Sequence, residues 1–123
     1  MPDPFAIDTQ VFDRLLAMAG PNIAADLVVQ LHTDLFNARI GLQNAQALLD
    51  RAQLGAQSHV VIGLAGTMGA VKLQRLARQI TDLSANPSGQ IAALSLLVLQ
   101  IIPELNKTLD WLSRQPLQRS IQK

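Results

Sequence analysis

The stretch PNIAADLVVQLHTDLFNARIGLQNAQALLD, residues 21–50, decides the fold class. Within it Leu27, Leu31, Leu35, Ala38, Leu42, Ala45 and Leu49 recur in steps of four and three, which lays an apolar stripe along one side of an α-helix. Pro21 suits the first turn of such a helix, because a fixed φ is already helical and the missing N–H would have no partner there. A helix of this length draws most of its stability from packing its stripe, so the rest of the chain has to supply partners.

Those partners are again helices. Upstream, Asp8 is placed to N-cap a short first helix, with Ile7 and Phe12 at the spacing of a hydrophobic staple; Val11, Phe12, Leu15, Leu16 and Ala19 follow at helical intervals until Gly20-Pro21. Downstream, Asp50 with Gln53 has the form of a capping box and predicts that a third helix starts there, or that the long one breaks. This third helix carries Leu54, Val61, Leu64 and Ala65 on one side and runs into Gly66–Gly69. A fourth begins near Ala70, with Leu73, Leu76, Ala77 and Ile80 inward and Lys72, Arg75 and Arg78 toward water. Ser84-Ala-Asn-Pro-Ser-Gly89 is a loop signal. A last helix is expected to reach about Arg114, kinked or locally broken at Pro103. Its apolar run Ile91–Ile102 is interrupted by Ser95 and Gln100, falls short of the ~20 residues of a membrane span, and reads as a buried helix. The expected fold is all-α: an antiparallel four-helix bundle with a short extra N-terminal helix, a single domain over 1–123 with its core at about 7–114 and a short flexible tail at 115–123.

Composition narrows the function. The chain has 123 residues, 49% apolar and 15% charged, with 10 Lys plus Arg against 9 acidic residues and a net charge of +1. Charge this low and balanced, with the basic residues scattered, gives no purchase on nucleic acid or an anionic membrane. Three Phe and one Trp make no base-stacking platform. No cysteine means no disulfide or thiolate metal site and fits a reducing compartment. The opening MPDPFAIDTQ has neither the basic nor the apolar region of a signal peptide. With one Glu in the chain, a catalytic carboxylate pair would need aspartates, and these sit at caps or exposed helix positions. Two histidines with no acidic cluster make no zinc site, and the glycines match neither phosphate-binding loop pattern.

His59 is the reactive side chain with an unusual surround. Its helical neighbours are Gly55, Ala56, Ile62 and Gly63, with Ala52 and Gly66 a turn further out. Helix-interior glycines each cost about 0.8–1 kcal/mol relative to alanine, so Gly55, Gly63 and Gly66 weaken the helix by roughly 2–3 kcal/mol. Either another helix packs closely on this smooth rail, or a partner needs access to the imidazole. His32, beside the Leu27–Leu31–Leu35 stripe, has no such surround and reads as structural.

The segment Ser58-His-Val-Val-Ile-Gly-Leu-Ala-Gly-Thr-Met-Gly-Ala-Val-Lys-Leu73 resembles the signature of the histidine-containing phosphotransfer (HPt) family. That pattern runs His, two residues, usually Lys, then Gly, five residues, Gly-Ala, two residues, Leu; His59, Gly63, Gly69, Ala70 and Leu73 fall in register, and the helix layout over residues 7 to 112 is similar. The resemblance implies a cytoplasmic, monomeric phosphocarrier without autonomous catalysis. His59 would accept a phosphoryl group and pass it between receiver-domain aspartates, docking through Gly55, Ala56, Ile62, Gly63 and Gly66. The partners implied are a response-regulator receiver domain and a hybrid sensor histidine kinase. The chain itself carries no cofactor; Mg²⁺ and a lysine would come from the receiver. The departure is Ile62, where the family usually has lysine. Two alternatives from another class stay open: a non-catalytic helical adaptor, and a degenerate HPt module that docks a receiver or kinase without relaying phosphate. A membrane-surface bundle is disfavoured by the shortage of Lys and Arg beside any apolar face.

Overall fold

The computed structural model describes residues 7–115; the tail expected at 115–123 lies outside them except for Gln115, as do residues 1–6. Five helices follow one another: α1 (Thr9–Ala19), α2 (Pro21–Ala47), α3 (Arg51–Met68), α4 (Val71–Ala85) and α5 (Ile91–Ser113). Helices α2 to α5 form a closed ring in which α2 touches α3 and α5, and α4 touches the same two, while α1 lies across α2 and α3. Hydrogen bonds fix the antiparallel sense of α2 and α5: Gln46 reaches Ser95 at one end and Arg39 reaches Asn106 at the other, both at 2.8 Å. The fold is the all-α bundle that the periodicity predicts, and among the described residues there is no strand, only an isolated bridge between Ile7 and Ala70.

The helix boundaries follow from local chemistry. Asp8 caps α1 by accepting from the Gln10 N–H, and Ile7 and Phe12 are both buried in the core, as a staple requires. Asp50 caps α3 by accepting from the Gln53 N–H at 3.1 Å. The capping box is only half formed, because the Asp50 N–H is taken by the carbonyl of Ala45 as α2 ends. Gly69 closes α3 in the left-handed region, with φ of 75°. A Cβ there would lie 2.6 Å from the Asp8 carbonyl oxygen, so glycine lets the start of α1 rest on the α3–α4 corner, where the Asp8 N–H donates to the Gly69 carbonyl at 2.7 Å.

The core is one cluster running the length of the ring: Val28, Leu31, Leu35, Ala38 and Leu42 from α2, Leu54, Val61, Ala65 and Met68 from α3, Leu73, Ala77 and Ile80 from α4, and Leu94, Val98, Ile101, Leu105 and Leu112 from α5. Phe12 meets Trp111 edge-on, ring centroids 4.6 Å apart, at the end where α1 crosses.

Four expectations need correction. Leu49 does not extend the α2 stripe: α2 stops at Ala47, and Leu49 turns into the left-handed region with 57% of its surface exposed. Of the kink or local break expected at Pro103, the break does not occur, because α5 continues through it; Pro103 is exposed, and so is Leu99, whose carbonyl loses its donor. The run Ile91–Ile102 is not buried all round, since Leu96 and Leu99 are 61% and 70% exposed. At 23 residues, with a mean hydropathy of 1.3 over its most apolar 18, α5 is long and apolar enough to cross a membrane by length and composition, but its apolar ridge is committed to the core. Lys72 does not simply face water: it is half-buried and pairs with Glu104 at 3.5 Å.

Candidate functional site

α3 turns one face inward and one outward. Leu54, Ser58, Val61, Ala65 and Met68 are buried, and the opposite side consists of Ala52, Ala56, His59, Gly63, Gly66 and Thr67, all exposed. His59 therefore projects into solvent near the middle of the helix. Ser58, its neighbour, points the other way. Its hydroxyl is fully buried, 2.7 Å from the Thr81 hydroxyl and donating to the Gly55 carbonyl at 3.0 Å, so it makes no pair with the imidazole.

The small residues around His59 divide into two kinds. Around Gly63 there is open space: a Cβ placed there would meet nothing within 4 Å. Gly55 and Gly66 lie against α4. A Cβ on Gly66 would come 2.7 Å from the Gln74 amide nitrogen, and one on Gly55 would press into the Ser84 hydroxyl. Of the expected docking positions, Gly55 is half-buried against α4, whereas Gly66 is exposed and meets only the tip of the Gln74 side chain. The two helices approach through glycine on α3 and short or flexible polar side chains on α4. Ile62, expected as an apolar docking contact, is half-buried and packs partly against the core. Ala56 remains on the exposed face with His59 and Gly63. His32 is half-buried on α2.

The polar residues that hold α3 on α4 are the part that sequence reading missed. Gln74 donates to the Ile62 carbonyl at 3.3 Å, Thr81 meets Ser58, and Ser84 lies on Gly55 while donating to the Thr81 carbonyl at 2.8 Å. Their spacing of seven and three residues along α4 was the available signal.

On the other flank of α3 an open groove of about 580 Å³ runs toward α2, lined by Asp34, Asn37, Ala38, Gln57, Val60, Gly63, Leu64 and Thr67. Val60 is 46% exposed there and Leu64 half-buried, so the groove has an apolar floor beside the imidazole. Asp34 is its one carboxylate and accepts from Gln30 at 2.8 Å. Among the described residues no three His, Cys, Asp or Glu side chains gather as metal ligands would.

The five positions in register with the HPt pattern have different structural occupations. Gly69, Ala70 and Leu73 build the α3–α4 corner: Gly69 by its backbone, Ala70 and Leu73 by burial. His59 and Gly63 carry no packing duty. The chemical content of the pattern therefore rests on those two residues. Comparison of the chain with protein-family models, with curated proteins and with solved structures found no match.

Proposed function

We propose that this protein is a histidine phosphotransfer carrier, accepting a phosphoryl group on His59 from a receiver-domain aspartate and passing it to another. The observation that carries the reading is the exposed imidazole at the middle of α3 with unobstructed space at Gly63, one turn along. Glycine in an open helix interior brings no packing benefit and about 0.8–1 kcal/mol of cost, which an approaching partner surface would offset.

In the transfer, the lone pair of one ring nitrogen attacks phosphorus. The N–P bond forms as the P–O bond to the aspartate breaks, the carboxylate leaves with the bonding electrons, and the proton on the other ring nitrogen remains there or passes to water. Neutral imidazole needs no separate base for this attack. Mg²⁺ held by the receiver would neutralise charge on the transferring group, since the described residues of this chain offer no carboxylate cluster for it. The groove between α2 and α3 would seat an apolar element of the partner beside Val60 and Leu64. A small, transient interface suits a carrier that must exchange partners.

The test is label transfer from a purified phosphorylated receiver to wild type and to His59→Gln. Label is expected on wild type only. The degenerate docking module is the second reading, favoured by Ile62 standing where the resembling family has a cation; it would be supported if the chain bound receivers with normal affinity yet took up no phosphate.

A further inference from the structure

Four contacts index α3 against α4. Gln74 bonds the Ile62 carbonyl and lies on Gly66, Thr81 meets Ser58, and Ser84 lies on Gly55. As numbering falls from 66 to 55 along α3, it rises from 74 to 84 along α4. Arg78 is one turn beyond Gln74 and one turn before Thr81, which sets it level with the turn of α3 from Ser58 to Ile62. At 100° per residue it is rotated by about 40° from Gln74 and about 60° from Thr81, both of which face α3. Arg78 is exposed, on the rim of α4 nearest α3. His59 is turned outward from Ile62 by about 60° in the same sense, on the facing rim of α3.

With axes of packed helices ~8–10 Å apart, a long side chain on one rim reaches over the other. The guanidinium is also uncommitted. The ion pairs of the described residues are Lys72 and Lys107 with Glu104, and Arg114 with Asp110; Asp82, one turn along α4 from Arg78, makes none with it. On the opposite flank of His59 the groove offers only the carboxylate of Asp34, so the field across the site favours a dianion leaning toward α4.

We propose that Arg78 is the phosphate-binding cation of this site: its guanidinium takes oxygens of the phosphoryl group on His59 from across the α3–α4 groove, supplying the charge that Ile62 does not. A planar fork of donors suits two phosphoryl oxygens, and no bond is made or broken at arginine. The proposal rests on the carrier reading of His59, and it explains how that reading survives an isoleucine at position 62.

The experiment treats the full chain with potassium phosphoramidate, whose P–N bond breaks with loss of ammonia as the bond to the imidazole forms. The steady phosphohistidine level is followed by ³¹P NMR over a salt series. Arg78→Gln is expected to lower that level about two- to fivefold at low salt, with the gap closing as salt rises. Arg78→Lys should keep most of the level, Ile62→Lys should restore it in the Arg78→Gln background, and Arg75→Gln should leave it unchanged. Melting temperatures should not move, because Arg78 is exposed. If wild type is phosphorylated and Arg78→Gln matches it at every salt concentration, or if Arg75→Gln has the same effect, the assignment of Arg78 is overturned while the carrier reading stands. If the folded wild type takes phosphate neither from phosphoramidate nor from a phosphorylated receiver, both fall together.

Discussion

Two helix ends of identical hydrogen-bond pattern carry different residues. At the end of α3 the Ala70 N–H bonds the Ala65 carbonyl and the Gly69 N–H bonds Gly66; at the end of α2 the Asp50 N–H bonds Ala45 and the Leu49 N–H bonds Gln46. Glycine takes the left-handed position in the first and leucine in the second, with φ of 52°. A leucine there is strained, and being exposed it gains little burial in return. Leu49→Gly is therefore expected to stabilise the protein by about 0.5–1 kcal/mol, read as a rise of a few degrees in Tm. Gly69→Ala should do the reverse by more than about 1 kcal/mol, because it adds both the conformational strain and the clash with the Asp8 carbonyl. Gly63→Leu should leave the fold intact or raise its stability by up to about 1 kcal/mol while abolishing receiver binding; a large drop in Tm would place Gly63 in a packed crossing instead. The sequence made Asp8, Asp50 and Gly69 readable because each belongs to a capping pattern with a side-chain or glycine signature. Leu49 was unreadable because its conformation is imposed by the 45–50 backbone ladder and runs against its own preference, so the apolar period continued through it.

α3 packs against α1, α2 and α4 and leaves one face to whatever approaches from solvent. Its inward ridge was legible from Leu54, Val61 and Ala65, and so was the exposure of His59. The division of its glycines was not, since glycine carries no side chain to announce its neighbour; only the partners Gln74 and Ser84 on α4 distinguish Gly66 and Gly55 from the open Gly63. The distinction has a direct test. Gly55→Leu should wedge α3 from α4, displacing a Ser84 hydroxyl that donates to the Thr81 carbonyl, and destabilise by about 1–3 kcal/mol, against no loss for Gly63→Leu. Urea denaturation of the two variants side by side decides it; equal stabilities would mean that the α3–α4 crossing is looser than its contacts imply. The misreading of α5 has a related origin. An apolar run without period says that a helix is apolar, and not which of its residues face the core; Leu96 and Leu99 point outward although their neighbours Leu94 and Val98 are fully or nearly fully buried.

Three of the four seams of the ring carry polar ties among the described residues, and these differ in kind. Seam α3–α4 uses short hydroxyl and amide contacts, seam α2–α5 uses the Gln46–Ser95 and Arg39–Asn106 bonds, and seam α4–α5 uses charge. Glu104, the one glutamate of the chain, is buried on α5 between Lys72 of α4 at 3.5 Å and Lys107 of its own helix at 3.2 Å, and its second carboxylate oxygen is buried without a hydrogen-bond partner. Desolvating that carboxylate offsets much of what two half-exposed ammonium groups return. The side chain then contributes mainly by filling volume between α4 and α5. Glu104→Met, which keeps the volume and frees both lysines to water, should accordingly lie within about 1 kcal/mol of wild type, whereas Glu104→Ala, which opens a cavity, should cost about 2 kcal/mol or more. Urea unfolding at low and high salt separates the two accounts: if the methionine variant is as weak as the alanine one, the ion pairs hold the seam and the packing account fails. Because Glu104 sits on the side of the ring away from the outward face of α3, neither substitution should alter phosphorylation of His59 in folded protein. A coupled loss would mean that the bundle transmits strain from the α4–α5 seam to the exposed face.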